Sequence, residues 1–173
     1  MTRKTVIAII GSTDEGAERN ARALGTLVAA RGWVVLTGGR DHGVMRAAAM
    51  GAKAPTLTVP GLTVGLLPDT GAIVGPEIDV AIVTGMGEAR NNAIVLSGDV
   101  VVACGVDGPG TASEVSLALC NRRNVVLLGA TPEATAFFEQ VARRSGAGPL
   151  LAHADSPDEA IARIDDVLRD QTP

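Results

Sequence analysis

Apolar residues along this chain fall into two kinds of run, and the runs alternate. Short ones such as "TVIAIIG", "DVVVACG" and "NVVLLG" are almost unbroken and rich in β-branched side chains. A strand with one face in water alternates apolar with polar; an unbroken run belongs to a strand covered on both faces. Between these lie longer segments with apolar positions three or four apart. "DEGAERNARALGTLVAARG" sets Leu24, Leu27 and Val28 at helical spacing and stops at Gly32. "SPDEAIARIDDVLRDQ" aligns Ile161, Ile164, Val167 and Leu168 behind a Ser-Pro-Asp-Glu start. The same reading predicts strands at "WVVLTGG", "LTVGLLP" and "IDVAIVTG". It predicts helices at "HGVMRAAAMGAKA", at "GEARNNAIVLSG", after "GVDGPG", and at "PEATAFFEQVARRSG", where proline opens the helix.

Strand–helix alternation with continuous apolar strands implies an α/β chain: a doubly wound, mostly parallel sheet with helices on both faces. Neither repeats nor a low-complexity linker interrupts the pattern, so residues 1–173 are expected to form a single domain. Aromatic residues are only 2% of the chain (Trp33, Phe137 and Phe138), so the core must be aliphatic. That scarcity, a formal net charge of −4 and the lack of a basic stripe argue against nucleic acid as a partner. The opening "MTRKTVIAIIGSTDEG" turns too soon for a signal peptide, and no apolar stretch is long enough to span a bilayer. No membrane association is expected. Cys104 and Cys120 lack metal or redox spacing and fit a reduced, cytoplasmic setting.

In such sheets ligands sit outside the carboxyl ends of the strands, which directs attention to the loops at Gly11, Gly38, Pro68, Gly85 and Gly105. "GVDGPGTASE" joins a strand to a helix through Gly105, Gly108 and Gly110, with Thr111 and Ser113 in the first turn. Free N–H groups and the dipole at a helix start, reached over glycine, make phosphate-binding chemistry. The alternative is a tight turn capped by Thr111. Glu114 either steadies that helix, as a capping-box partner of Thr111, or accepts a ligand hydroxyl or acts as acid or base. "TGGRDHGVM" repeats the device with Gly38, Gly39 and Gly43, and offers Thr37, Arg40, Asp41 and His42 as polar groups. Arg90 either forks onto a phosphate or balances Glu88 at the surface. Ser12 and Thr13 read first as caps of the first helix and second as ligand contacts. No metal site and no nucleophilic triad is expected.

Taken together, "IGS", "TGGRDHGVM", "GLLP", "TGMGEARNN" and "GPGTASE" resemble, in order and spacing over about residues 4–130, the Lonely Guy-like (lysine-decarboxylase-like) Rossmann superfamily. The branch most similar is that of the molybdenum cofactor carriers. The resemblance implies a Rossmann-like domain binding a phosphorylated, nucleotide-like small molecule, with molybdenum cofactor or an AMP-like compound as ligand and no cofactor needed for folding. It implies a homodimer or homotetramer, for which the final helix and "VMRAAAMGA" offer apolar faces. The binding residues expected are Gly11, Ser12, Gly38, Gly39, Gly43, Arg90, Asn91, Gly108, Gly110, Thr111 and Glu114. Phosphoribohydrolases of the superfamily cleave the N-glycosidic bond of nucleoside 5′-monophosphates; by resemblance Arg90 and Glu114 would be catalytic were this chain one of them. Two departures stand out: Asp107 and Pro109 alter the phosphate loop, and Asn91 replaces a usual lysine. With Lys4 and Lys53 as its only lysines, the chain offers no support for decarboxylase chemistry.

Overall fold

A computed structural model describes residues 3–170. Seven strands, β1 (Val6–Gly11), β2 (Val34–Thr37), β3 (Thr63–Leu67), β4 (Val80–Val83), β5 (Val100–Cys104), β6 (Asn124–Leu128) and β7 (Leu151–Ala154), form one sheet. Every pairing between them is parallel, in the order β4-β3-β2-β1-β5-β6-β7. The helices are α1 (Glu15–Ala30), α2 (Gly43–Ala52), α3 (Arg90–Ser97), α4 (Pro109–Cys120), α5 (Pro132–Arg144) and α6 (Pro157–Asp170). Single 3-10 turns occupy Gly87–Ala89 and Gly148–Leu150.

The period of two along each strand divides the core between the faces. Ile7, Ile9, Val100, Val102, Val126 and Leu128 pack with α1, α2 and α6. Ala8, Ile10, Val101, Ala103, Val125 and Leu127 pack on the other face with residues of α3, α4 and α5. Unbroken apolar strands are thus the consequence of two covered faces, and the fold is Rossmann-like. From β1 the chain winds outward through β2, β3 and β4. It then returns to lay β5 along the free side of β1, with Ile7 opposite Val100. Winding reverses between β1 and β5, and that reversal opens a crevice above their carboxyl ends.

Several local expectations are corrected. Asp14, not Ser12 or Thr13, caps α1: its carboxylate accepts from the Ala17 N–H at 2.9 Å, while the Ser12 hydroxyl donates to Asp14. Carboxylate is the stronger acceptor for an orphan amide, so Ser12 is recruited to hold it. Gly108, not Thr111, is the N-cap of α4, so Thr111 and Glu114 lie inside the helix and form no capping box. Strand β7 was not predicted; "LLAHA" is short and follows a Gly-Pro turn that hides its start. Strand β4 departs from the general expectation of a sheet covered on both faces: Val80, Ala81, Ile82 and Val83 are all exposed at the sheet edge. The apolar faces of α2 and α6 are spent on the core: Ala47, Ala48, Ala52, Ile161 and Ile164 are buried.

Candidate functional site

Above the β1–β5 reversal lies a cleft of about 220 Å³. Its floor is the end of β1, Ile9 to Gly11, and one wall is Gly38 with Met45 of α2. Arg90 and Asn91 enter from the start of α3, and Gly110, Thr111 and Glu114 from the first turns of α4. Arg40, His42 and Glu88 complete the lining.

The α4 end of the cleft presents free backbone donors. Gly105 turns the chain off β5 with φ of +68°, a conformation that side chains resist. Gly108 offers no side-chain cap, and the first intrahelical bond runs from the Ala112 N–H to the Gly108 carbonyl at 3.1 Å. The N–H groups of Gly110 and Thr111 precede that bond and have no acceptor within the helix. Pro109 takes the first helical position, where its missing N–H leaves those two donors intact. No atom lies within 4 Å of the place where a Cβ on Gly110 would stand, so the approach to these amides is open.

Facing them is a buried pair of opposite charges. Arg90 is 4% exposed, which rules out the surface role that pairing with Glu88 would give it. Its Nη1 donates to Asn91 Oδ1, while its Nε is buried with no hydrogen-bond partner. Burial lowers the guanidinium pKa, Glu114 and Glu88 oppose that shift, and Arg40 adds to it. A guanidinium nevertheless keeps its charge at any physiological pH, so this is a buried cation with unused donor capacity. Glu114 is 8% exposed. Burial raises its carboxyl pKa to about 7, with Arg90 working against the shift and Glu88 adding to it. One carboxyl therefore stands near half-protonation beside a permanent cation, a state suited to a hydroxyl hydrogen bond or a proton transfer.

Of the residues expected to form the site, Gly11, Gly38, Arg90, Asn91, Gly110, Thr111 and Glu114 line the cleft. The others support it from outside. Gly39 lets β2 pass β3, since a Cβ there would come within 2.8 Å of Gly65 Cα. Gly43 starts α2, Gly108 caps α4, and the Ser12 hydroxyl serves Asp14. Asp107 is exposed beside Asp14 and does not plug the cleft. Sequence reasoning named Arg40 and Glu88 without placing them; the signal was their position just after two strand ends. Met45, Ile9 and Ile10 carried no chemical signal at all.

Other features lie elsewhere. A larger groove of about 710 Å³ runs under the amino ends of the strands, past Arg3, Lys4, Trp33, Asp99 and Arg169. Most of its charges already have partners, Arg3 in Asp99, Arg169 in Asp166 and Asp165 in Arg31, so its size does not make it the better candidate. Lys53 binds Asp79 and the Gly61 carbonyl, and Lys4 the Gly32 carbonyl, so neither lysine reaches the cleft. Complete burial pushes the Cys104 thiol up to about 12, which leaves it inert. Among the described residues no three His, Cys, Asp or Glu side chains are grouped to hold a metal, and no helix is long and apolar enough to cross a membrane.

Comparison with known proteins agrees with the fold. The SLOG cluster4 family model matches residues 4–161. The molybdenum cofactor binding protein from the phototrophic bacterium Rippkaea orientalis is 42% identical, with a TM-score of 0.85 over 97% of this chain and 99% of that one. The molybdenum cofactor carrier protein from Chlamydomonas reinhardtii is also 42% identical, with a TM-score of 0.84 over 96% of this chain and 99% of that one. An uncharacterised protein of Archaeoglobus fulgidus is 40% identical over 118 residues, 68% of this chain and 74% of its own length.

Proposed function

The chain belongs to the SLOG cluster4 family, and from that premise we propose that its cleft binds a phosphorylated, nucleotide-like small molecule in the manner of a molybdenum cofactor carrier. The observation that carries this reading is Arg90: a buried guanidinium with an unpartnered Nε, in one cleft with the free amides at the start of α4. A buried cation with unused donors is costly unless an anion completes it. A phosphate seated on the Gly110 and Thr111 N–H groups would do so, with Glu114 left to take a hydroxyl of the ligand. A molybdopterin-type ligand brings such a phosphate together with its own metal-binding chemistry.

The cleft, at about 220 Å³, is smaller than the roughly 300–1,000 Å³ cavities that enclose drug-sized ligands. It would hold the phosphate and an adjoining ring and leave the remainder outside, where it can be handed on. Calorimetric titration with purified molybdopterin, with molybdate and with AMP tests the reading. Binding by the wild type that Thr111→Asp abolishes, by setting like charge against the phosphate, supports it. A wild type that takes up none of the three would remove its basis.

A second reading rests on Glu114 itself, whose carboxyl titrates near neutrality beside Arg90. That pair suits a phosphoribohydrolase, in which Arg90 holds the nucleotide and Glu114 the ribose as the glycosidic bond of a nucleoside 5′-monophosphate breaks. Release of free adenine from AMP, lost in Glu114→Ala, would move the chain from carrier to enzyme. The proposal also includes a cytoplasmic location and self-association into a homodimer or homotetramer. For the latter the uncovered apolar strand β4 offers a surface that α2 and α6 do not.

A further inference from the structure

We propose that Arg40 is a second anion-binding residue of this cleft, masked by Glu88, and that it selects ligands bearing two separate anionic groups. This rests on the proposal that the cleft binds a phosphorylated ligand, and it narrows the class.

Arg40 and Arg90 line one small cleft, and the charge of Arg40 is the smallest of the influences on the Arg90 pKa, acting to lower it. Two guanidiniums facing one space repel unless an anion lies between or beside them. Without ligand Glu114 stands first beside Arg90, and Glu88 occupies Arg40, its Oε1 accepting from Arg40 Nη2 at 3.1 Å. The two partners are held very differently. Arg40 is fixed through its backbone: it forms an antiparallel bridge with Val74, and its neighbours are tied by Gly75 N–H to the Gly39 carbonyl at 2.9 Å and Asp41 N–H to the Ile73 carbonyl at 3.1 Å. Glu88 stands in the one-turn 3-10 segment Gly87–Ala89, just after Gly85, with its side chain 69% exposed. It can swing into water with no change in the backbone. An exposed ion pair of this kind is weak and easily exchanged.

A ligand with one phosphate, seated on Gly110, Thr111 and Arg90, leaves the Arg40–Glu88 pair intact and gains nothing from Arg40. A ligand with a second phosphate or another oxyanion at the mouth replaces Glu88 on Arg40, and Glu88 turns out to solvent. Glu88 thus taxes every ligand that approaches the mouth and is displaced only by one that brings its own negative charge there. A surface pair that merely steadied the turn would affect folding and leave this discrimination untouched.

The test is a double-mutant cycle. AMP, adenosine 2′,5′-bisphosphate and adenosine 3′,5′-bisphosphate are titrated calorimetrically into the wild type, Arg40→Gln, Glu88→Gln and the double variant, each first verified as folded by circular dichroism. The quantity read is the affinity ratio of bisphosphate to AMP. In the wild type one bisphosphate should exceed AMP by about tenfold, the scale of one charge-assisted guanidinium–phosphate contact. Arg40→Gln should collapse the ratio toward one. Glu88→Gln should raise it, and only where Arg40 is present. A ratio that survives Arg40→Gln, the lack of any advantage for either bisphosphate, or a gain from Glu88→Gln that persists in the double variant overturns the assignment. Should neither AMP nor the bisphosphates bind the wild type, the Arg40 assignment falls with them, and titration with molybdopterin then decides whether the underlying binding reading survives.

Discussion

Glu114 sits on the buried side of α4, and the helix dipole at its start cannot offset the loss of water around the carboxylate. The consequence is a stability that depends on pH with an unusual sign for an acid. Its folded pKa, about 7, lies above the ordinary 4.5, so the native state keeps a proton that the unfolded chain releases. Stability from this group is full below about pH 4.5 and is lost as pH rises through 7, by on the order of 3 kcal/mol. Urea unfolding across that window should reveal the slope, and Glu114→Gln should flatten it. Gly110 offers a contrasting case. A methyl there meets no atom within 4 Å, and alanine favours a helix over glycine, so Gly110→Ala should leave stability unchanged or raise it by up to about 1 kcal/mol. Gly110 lines the cleft, so the added methyl narrows the space a phosphate would take and should weaken AMP binding, by about tenfold if it crowds the seat. Stability and affinity moving apart in one variant marks a position kept for ligand.

At the level of elements, the chain's periodicity revealed six of the seven strands and all six helices, because unbroken β-branched runs and three-to-four spacing report directly on burial. Strand β7 escaped because it is four residues long and half-buried, with His153 in its middle. The glycine-rich strand ends marked where the cleft lies, since close backbone approach leaves a sequence signature. The burial of Arg90 left none: an arginine beside a glutamate reads as a surface pair until the return of α3 beneath the cleft is known. The cap of α1 is hidden for a similar reason. Ser12, Thr13 and Asp14 all accept hydrogen bonds, and only the register of α1 selects Asp14. Asp14→Ala should therefore cost about 1 kcal/mol in thermal or urea unfolding at neutral pH. That loss should shrink in acid, because bonds from Ser12 and the Ala17 amide hold the Asp14 carboxyl below its ordinary value, and what they contribute vanishes as it protonates.

For the molecule as a whole, the two edges of the sheet are unalike. β7 is half-covered, with Ala154 against the core, whereas β4 shows four apolar residues and a free row of backbone groups. Proteins usually protect such an edge with charge, proline or a bulge, and "VAIV" has none of these. Light scattering should find the wild type as a dimer or larger. Ile82→Lys should yield a monomer, whereas an unchanged mass would place the contact elsewhere.

The pairing of Ile7 with Val100 has one more consequence. Half the cleft wall is contributed before β4 and half after it, so neither portion of the polypeptide alone possesses a receptor. Occupancy is then a reporter of complete assembly: whatever ligand the protein takes should raise its melting temperature in proportion to the logarithm of concentration. A library screened by thermal shift would search for that compound without any prior guess at its chemistry.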